Sequence, residues 1–311
     1  TVAELLKADL PQYGIVLIDE VETSLHPRAQ RRLIRDLAEK CRELELQIVL
    51  TTHSPYVLDE LPLEARAHIM QTDDAQRKIV YGVNPKFAMS QMDDVPQYEC
   101  DLYVEDVRAQ IFLIEILAAH RPELVQRCRI TPYGASSVGQ ALGQMVITNR
   151  FHRPTRVFLD GDEGFAPGCI NLPGEDAPER VVFEVLKKLG HLKLSERTGR
   201  PHAQVVDECN RAMVASDHHE WVNLAATKLV LGGDTLWQAM CAEWAKQSLT
   251  HEEANKIILP IEDALNGEPW KTTPQPAPET APIAVAPTAT EPEANAETAS
   301  SSSAPQRLFE L

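Results

Sequence analysis

The stretch Arg156-Val-Phe-Leu-Asp-Gly-Asp-Glu163 decides the fold of this chain, because it predicts a short apolar strand that ends in two carboxylates. Asp160 and Asp162 are two positions apart, and side chains at that spacing on an extended backbone point to the same side. Both carboxylates can therefore face one cation, and such oxygen ligands suit Mg²⁺. Taken alone, an Asp-x-Asp also fits a solvated loop, so the neighbouring segments decide between the two interpretations.

Two more strands are predicted upstream of this stretch. The segment Asp101-Leu-Tyr-Val-Glu-Asp106 predicts a short strand that ends at Glu105 and is followed by an amphipathic helix. Residues 129–138 predict another strand, with a Gly turn that leads into a second helix. Parallel strands that alternate with helices place their carboxyl ends at one edge of the sheet. We therefore expect Glu105, Asp160 and Asp162 to converge at that edge.

This order of elements resembles the Toprim domain of topoisomerases, primases and the overcoming-lysogenization-defect (OLD) family of ATP-dependent nucleases. In that family the Glu and the Asp-x-Asp hold divalent metal for phosphodiester cleavage. The resemblance implies that Glu105, Asp160 and Asp162 are metal ligands and catalytic residues, with Mg²⁺ or Mn²⁺ as the cofactor.

The chain departs from the Toprim pattern at one position. Related sequences have another acid four positions after the Glu, where this chain has Ala109. A second metal ion would need help from Asp106, Glu163 or Glu179. Cleavage with one metal ion, cleavage with two, and a site that does not cleave all stay open.

A second pattern lies in the first hundred residues. The segment Gly14-Ile-Val-Leu-Ile-Asp-Glu20 predicts a fully apolar strand, typical of the middle of a parallel sheet, that ends in adjacent acids. Residues 47–55 predict a second buried strand that ends at His53. An Asp at a strand end can hold Mg²⁺ through water, a neighbouring Glu can polarise an attacking water, and a His one strand away can contact a γ-phosphate. These residue types suit phosphoryl transfer.

The pattern is similar to the second half of an ABC-type ATPase of the OLD kind. The resemblance implies that Asp19 is the Walker B acid, Glu20 the catalytic Glu, Ser24 part of the D-loop and His53 the switch histidine, together acting on ATP. The sequence contains no Gly-x-x-x-x-Gly-Lys-[Ser/Thr] loop. ATP binding therefore requires a P-loop supplied upstream or by a partner. Because Thr1 stands inside a predicted helix, we expect a fragment or a truncated open reading frame.

The predicted fold class is α/β, with a partial ABC-type ATPase sheet followed by a Toprim (Rossmann-like) parallel sheet, C-terminal helices and a disordered tail. Residues 66–83 predict a β-hairpin. The predicted boundaries are the C-terminal half of the ATPase domain at 1–83, a linker at 84–100, the Toprim-like domain at 101–200, a helical part at 201–265 and the disordered tail at 266–311.

Composition limits the function classes. The 311 residues are 43% hydrophobic and carry a net charge of −16, which argues against wrapping of nucleic acid on a broad basic face. The best basic cluster comprises Lys187, Lys188, Lys193, Arg197 and Arg200. Six scattered cysteines favour reduced thiols in a cytoplasmic protein, and no apolar run predicts a membrane span.

Adjacent His218 and His219 fall in a segment that predicts an amphipathic helix. Neighbouring positions on an α-helix point to different sides, so we do not expect the two to share a metal ion. The segment is interpreted as core and docking surface.

These observations predict an ATP-dependent, divalent-metal-dependent DNA endonuclease that nicks or cleaves DNA, in anti-phage defence or DNA repair. DNA is the expected substrate, and a homodimer or higher homo-oligomer, with a possible partner protein, is the expected assembly. The alternative is a non-nucleolytic ATPase subunit of a repair or defence complex, in which a degenerate Toprim domain is only a scaffold. A topoisomerase or primase is disfavoured because no zinc-binding Cys cluster accompanies the motif.

Overall fold

The structure, a computed structural model, describes residues 11–71, 77–91, 97–191 and 193–271. All of them belong to one compact unit, Thr1–Thr272. The helix predicted around Thr1 and nearly all of the tail predicted to be disordered lie outside the described residues. The predicted domain boundaries within the unit stay a prediction.

Eight strands are found in the described part of the chain. They are β1 (Ile15–Ile18), β2 (Gln47–Leu50), β3 (Ala67–Gln71), β4 (Arg77–Tyr81), β5 (Cys100–Val104), β6 (Cys128–Pro132), β7 (Thr155–Leu159) and β8 (Cys169–Asn171). They form a parallel pair β1-β2, an antiparallel pair β3-β4, and a parallel four-stranded sheet of order β6-β5-β7-β8. The α/β fold with parallel sheets is confirmed, and so is the hairpin over 66–83.

The helices connect and cover these strands. They are α1 (Pro27–Leu44), α2 (Pro55–Asp59), α3 (Pro85–Ser90), α4 (Val107–His120), α5 (Pro122–Arg127), α6 (Ser136–Ile147), α7 (Pro178–Lys188), α8 (Leu194–Thr198), α9 (His202–Ala212), α10 (Trp221–Leu229), α11 (Gly233–Gln247) and α12 (His251–Leu265). Short 3₁₀ turns occur at Leu63–Ala65 and His218–Glu220. None of the helices in the described ranges is long and apolar enough to span a bilayer.

The four-stranded sheet is buried on both faces. Leu102 and Phe158 join a large core with α4, α7 and the helices that follow. Val157 and Leu159 point to the other face, where they pack with residues of α6. Every residue of β7 is buried, as expected of a strand between two helical layers.

The β1-β2 sheet differs from its prediction. Its strands were expected to be buried in the middle of a sheet, but Ile15, Leu17 and Val49 are 68%, 76% and 60% exposed. Helix α1 covers the opposite face, where Leu33, Ile34 and Leu37 pack with Ile18, Ile48 and Leu50. In the part of the chain that the structure describes, this sheet therefore has one covered and one bare apolar face.

Candidate active site

The carboxylates predicted from the second sheet lie at its carboxyl edge. Strands β5 and β7 are neighbours, with Tyr103 opposite Val157, so Glu105 and Asp160 begin adjacent loops at the same end of the sheet. Asp162 follows in the same loop as Asp160, and Glu179 lies in the first turn of α7. We call Glu105, Asp160, Asp162 and Glu179 the carboxylate edge.

The electrostatics of the carboxylate edge show that its acids interact. Burial raises the pKa of Glu105, and the charges of Glu163, Asp106 and Asp162 raise it further. Burial also raises the pKa of Asp160 to about 8, with contributions from the charges of Glu105, Asp106, Glu179 and Asp162. Several carboxylates thus share one region, and their charges repel.

One atom of this edge fits a metal ion closely. Oδ1 of Asp160 is buried and has no hydrogen-bond partner among the described residues. A buried carboxylate oxygen without a partner is costly, and a divalent cation would satisfy it and favour the ionised form of its neighbours. An ion held by Glu105, Asp160 and Asp162 would polarise a phosphoryl oxygen and lower the pKa of bound water. The chemistry of these side chains suits a divalent metal, but among the described residues the ligand atoms of Glu105, Asp160 and Asp162 do not form a group within 4.8 Å of one another.

The Asp-Gly-Asp loop is held in place by its surroundings. Nδ2 of Asn171 donates hydrogen bonds to the carbonyls of Asp160, at 3.3 Å, and Glu163, at 2.6 Å. A Cβ atom at Gly161 would lie 2.5 Å from the carbonyl oxygen of Gly174, a clash with backbone. Glycine between the two acids therefore permits a close approach that fixes their position.

The departure at Ala109 has a structural reason. Ala109 is fully buried in the first turn of α4, and its backbone N–H donates a 2.8 Å hydrogen bond to the side chain of Asp106, the N-cap. That position belongs to the helix start and the core. Further ligands for a second ion would come from Glu163 or Glu179, whose charges reach Glu105 and Asp160 respectively.

The residues predicted for a nucleotide site lie at the carboxyl edge of the β1-β2 sheet. Asp19 and Glu20 follow β1, and Thr51 follows β2. The hydroxyl of Thr51 donates to the carboxylate of Asp19 and accepts a 2.9 Å hydrogen bond from the backbone N–H of Glu20. Glu20 and Ser24 have φ of 46° and 66°, so the loop between them turns through left-handed conformations that orient exposed side chains.

Glu22 joins this loop to the residue predicted as the switch histidine. Its carboxylate accepts 2.6 Å hydrogen bonds from the hydroxyl of Thr52 and the backbone N–H of His53. Burial alone would raise the pKa of Glu22, but these two donors and the nearby His53 lower it. Asp19, Glu20 and His53 are thereby placed on one edge, with their side chains exposed to solvent.

Sequence reasoning missed Thr51 and Glu22, which position the loop rather than face a ligand. The available signal was the acid two residues after Glu20 together with the Thr-Thr pair before His53. It also missed a cluster beside the carboxylate edge, in which ligand atoms of Glu179, His218 and His219 lie within 4.8 Å of one another. The premise that the two imidazoles point to different sides of a helix is wrong, because their centroids are 4.0 Å apart in a 3₁₀ turn, and whether they share a metal ion stays untested.

Comparison with known proteins defines the class of the N-terminal part. Residues 3–59 match the family described as "AAA domain, putative AbiEii toxin, Type IV TA system". This part is similar to ATPase domains of the AAA type, a class that binds nucleotide, usually with Mg²⁺. The match includes the whole edge that carries Asp19, Glu20, Ser24 and His53, and it ends before the carboxylate edge.

One relative is similar over a short stretch. The chain is 38% identical over 68 residues to a protein of Vibrio cholerae serotype O1 biovar El Tor described as "Retron Vc95 probable ATPase". The aligned region is 22% of this chain and 13% of that protein. The chain thus matches a small part of a curated relative that is itself described as an ATPase.

Proposed function

We propose that this chain is part of an ATP-dependent, divalent-metal-dependent DNA endonuclease of the OLD type. The observation that carries the proposal is the position of Glu105, Asp160 and Asp162 at one edge of the sheet, where Oδ1 of Asp160 is buried without a partner among the described residues. Carboxylates that raise one another's pKa suit one or two divalent ions, and such ions promote phosphodiester cleavage. Glu105, Asp160 and Asp162 would bind the metal.

The nucleotide dependence rests on the AAA-type part. Asp19 would hold Mg²⁺ through water, Glu20 would polarise the attacking water, and His53 would contact the γ-phosphate. The loop geometry described above supports these roles by fixing all three on one sheet edge. The P-loop would come from a segment outside this sequence or from a partner. We further propose a homodimer, in which Ser24 faces the nucleotide of the second protomer.

The biological setting is proposed from the comparisons. The matched family is described as an AbiEii-like toxin of a Type IV TA system, and the relative as a retron ATPase. Both descriptions favour anti-phage defence over DNA repair, and both favour action in the cytoplasm, where phage DNA would be met.

Contact with DNA would be local rather than broad. Arg197 pairs with Glu243 at 2.9 Å, and Arg200 donates to the carbonyls of Leu229 and Val230. These two arginines stabilise the fold, while Lys187, Lys188 and Lys193 are exposed. The lysines and the metal ions would then supply the attraction to phosphate.

The test is a plasmid-nicking assay on the protein expressed from its native gene, with Mg²⁺ or Mn²⁺ and with or without ATP. We expect Asp160→Asn to abolish nicking, because it removes a metal ligand while keeping the shape of the side chain. Asp36→Asn, on helix α1 of the AAA-type part, is the matched control and should nick like the wild type. Glu20→Gln should remove ATP hydrolysis and alter the nucleotide dependence of nicking.

The same assay separates the proposal from its alternative. Intact supercoiled plasmid with the wild type, under conditions where ATP is hydrolysed, would favour a non-nucleolytic ATPase subunit. Equal nicking by wild type and Asp160→Asn would mean that cleavage occurs elsewhere or comes from a contaminant. Either result would overturn the assignment of the carboxylate edge.

A further inference from the structure

The cluster of Glu179, His218 and His219 has the geometry of a metal site. Each side chain offers one ligand atom, and these three atoms lie within 4.8 Å of one another. Nδ1 of His219 is 3.5 Å from Oε1 of Glu179, and the two imidazole centroids are 4.0 Å apart. Two neighbouring histidines thus lie close to one carboxylate. That carboxylate is buried, because Glu179 is only 3% exposed.

The local backbone explains why adjacent histidines converge. His218 and His219 lie in a 3₁₀ turn, and the α-helix begins only at Trp221. The side chain of Asp217 accepts a 3.0 Å hydrogen bond from the backbone N–H of His219 and so caps this turn. The ring of His218 packs edge-on against Trp221, whose Nε1 donates to the carbonyl of Ala215. The imidazole pair is therefore held by the fold on the carboxylate side.

A second observation points to a ligand. Nε2 of His218 is buried and has no hydrogen-bond partner in the ranges that the structure describes. Oδ1 of Asp160 is in the same condition, and the charge of Glu179 acts on Asp160. His218 therefore carries an unpartnered buried nitrogen in the same cluster as the buried carboxylate of Glu179, and a cation would supply the missing partner.

The donor set selects the kind of metal. Imidazole nitrogen suits Zn²⁺, Cu²⁺, Fe²⁺ and Ni²⁺, whereas Mg²⁺ prefers oxygen ligands and retains water. Two histidines and one glutamate are a set of three protein ligands that leaves a further position open for water or substrate. The side chain of His219 is 65% exposed, which gives an ion a route from solvent.

We propose that Glu179, His218 and His219 bind a divalent transition metal ion at a site that shares Glu179 with the carboxylate edge and differs from the rest of that edge by its two imidazole ligands. The site requires only these three side chains and stands whether or not the chain cleaves DNA. A metal ion here would compensate the buried charge of Glu179 and keep a coordination position open for water or substrate.

The test uses Co²⁺ as the probe, titrated into the full chain in the presence of excess Mg²⁺ to occupy all-oxygen sites. We expect visible Co²⁺ absorption that saturates at one equivalent, without the near-ultraviolet charge-transfer band of thiolate ligands. His219→Asn and Glu179→Gln should each weaken binding by at least about 100-fold, since loss of even an outer-shell partner costs roughly 10–100-fold. His152→Asn changes an exposed histidine elsewhere and should bind Co²⁺ normally.

Two controls and one contradicting outcome complete the test. His219→Asn replaces an exposed side chain, so its circular dichroism and thermal midpoint in chelator should equal those of the wild type. Asp160→Asn should keep Co²⁺ binding while losing nicking, which distinguishes failure of this site from failure of the proposed nuclease. Co²⁺ absorption that Mg²⁺ displaces, or that survives in both His219→Asn and Glu179→Gln, would show that the Glu179–His219 contact is an ordinary ion pair.

Discussion

The two parallel sheets of this chain use strands of similar composition and bury them very differently. Strand β7 is buried at every residue, whereas β1 alternates between exposed and half-buried positions. Leu159 is fully buried, while Leu17 is 76% exposed. The second sheet has helices on both faces, and the first has α1 on one face only among the described residues. Among the described residues, the four-stranded sheet therefore has a helical layer on each face, whereas the β1-β2 sheet has a helical layer on one face only.

The sheet with one covered face is in the region that matches the AAA family. Within the described residues, the face of β1-β2 that carries Ile15, Leu17 and Val49 has no covering element. The carboxylate edge, in contrast, belongs to the four-stranded sheet, which has packed hydrophobic residues on both faces.

The largest predicted effect compares the same substitution on the two sheets. Leu159→Ala should lower the free energy of unfolding by ~2–5 kcal/mol, because it leaves a cavity between the sheet and α6. Leu17→Ala should change it by less than about 0.5 kcal/mol, because the side chain is already in solvent. Urea unfolding of the full chain, followed by circular dichroism, measures both. Similar losses for the two variants would mean that the face of Leu17 is covered in solution.

A second comparison concerns the two carboxylate-bearing edges, which respond to pH in opposite directions. In the fold, the pKa of Asp160 is raised from 3.8 to about 8, so the native state holds a proton that the unfolded chain releases. Stability is therefore lost as the pH rises through this range. In metal-free protein at pH 8, Asp160→Asn should raise the free energy of unfolding by ~1–3 kcal/mol, and by less at pH 5.

Metal ions should reverse that ranking. On the proposed function, Mg²⁺ would bind the native carboxylates and not the unfolded chain, so an excess should raise the thermal midpoint of the wild type more than that of Asp160→Asn. Thermal scans at pH 5 and pH 8, with chelator and with Mg²⁺, measure this. If Asp160→Asn is less stable than the wild type in chelator at pH 8, then burial and neighbouring charges do not destabilise the ionised form of Asp160.

Whether a structural feature of this chain can be predicted from its sequence depends on how far apart in sequence the residues that determine it are. The order of strands over 101–171 and the meeting of Glu105 with Asp160 follow from alternation and from the handedness of parallel connections, which act locally. The exposure of β1 cannot be predicted in this way, because a continuous apolar strand has the same sequence pattern whether one or two layers cover it. Burial of such a strand depends on elements that its own pattern does not encode.

The histidine pair shows a different limit. A helical pattern places His218 and His219 on different sides, but Asp217 caps a single 3₁₀ turn before α10 begins. The α-helical rule therefore does not apply to these two residues. Likewise, the role of Glu22 depends on the register of β1 against β2, which brings Thr52 and His53 within hydrogen-bond distance.

The smallest predicted effect concerns Glu22, at the other edge. Its pKa in the fold is lowered from 4.5, since Thr52 and His53 donate to its carboxylate. The stabilisation is therefore fully present above about pH 4.5 and is lost as the pH falls through the lowered value. Glu22→Gln should reduce the free energy of unfolding by about 1 kcal/mol at pH 7, with a smaller difference near pH 3.

The matched control is Glu43→Gln, an exposed position on α1, which should stay close to the wild type at both pH values. Urea unfolding at pH 7 and pH 3 measures the difference between each variant and the wild type, so acids that titrate in all three proteins cancel. A constant deficit for Glu22→Gln across this range would mean that shape, and not charge, holds the loop. A deficit that shrinks as the pH falls would show that the ionised form of Glu22 stabilises the fold. Asp160 has the opposite pH dependence, because the fold favours its protonated form.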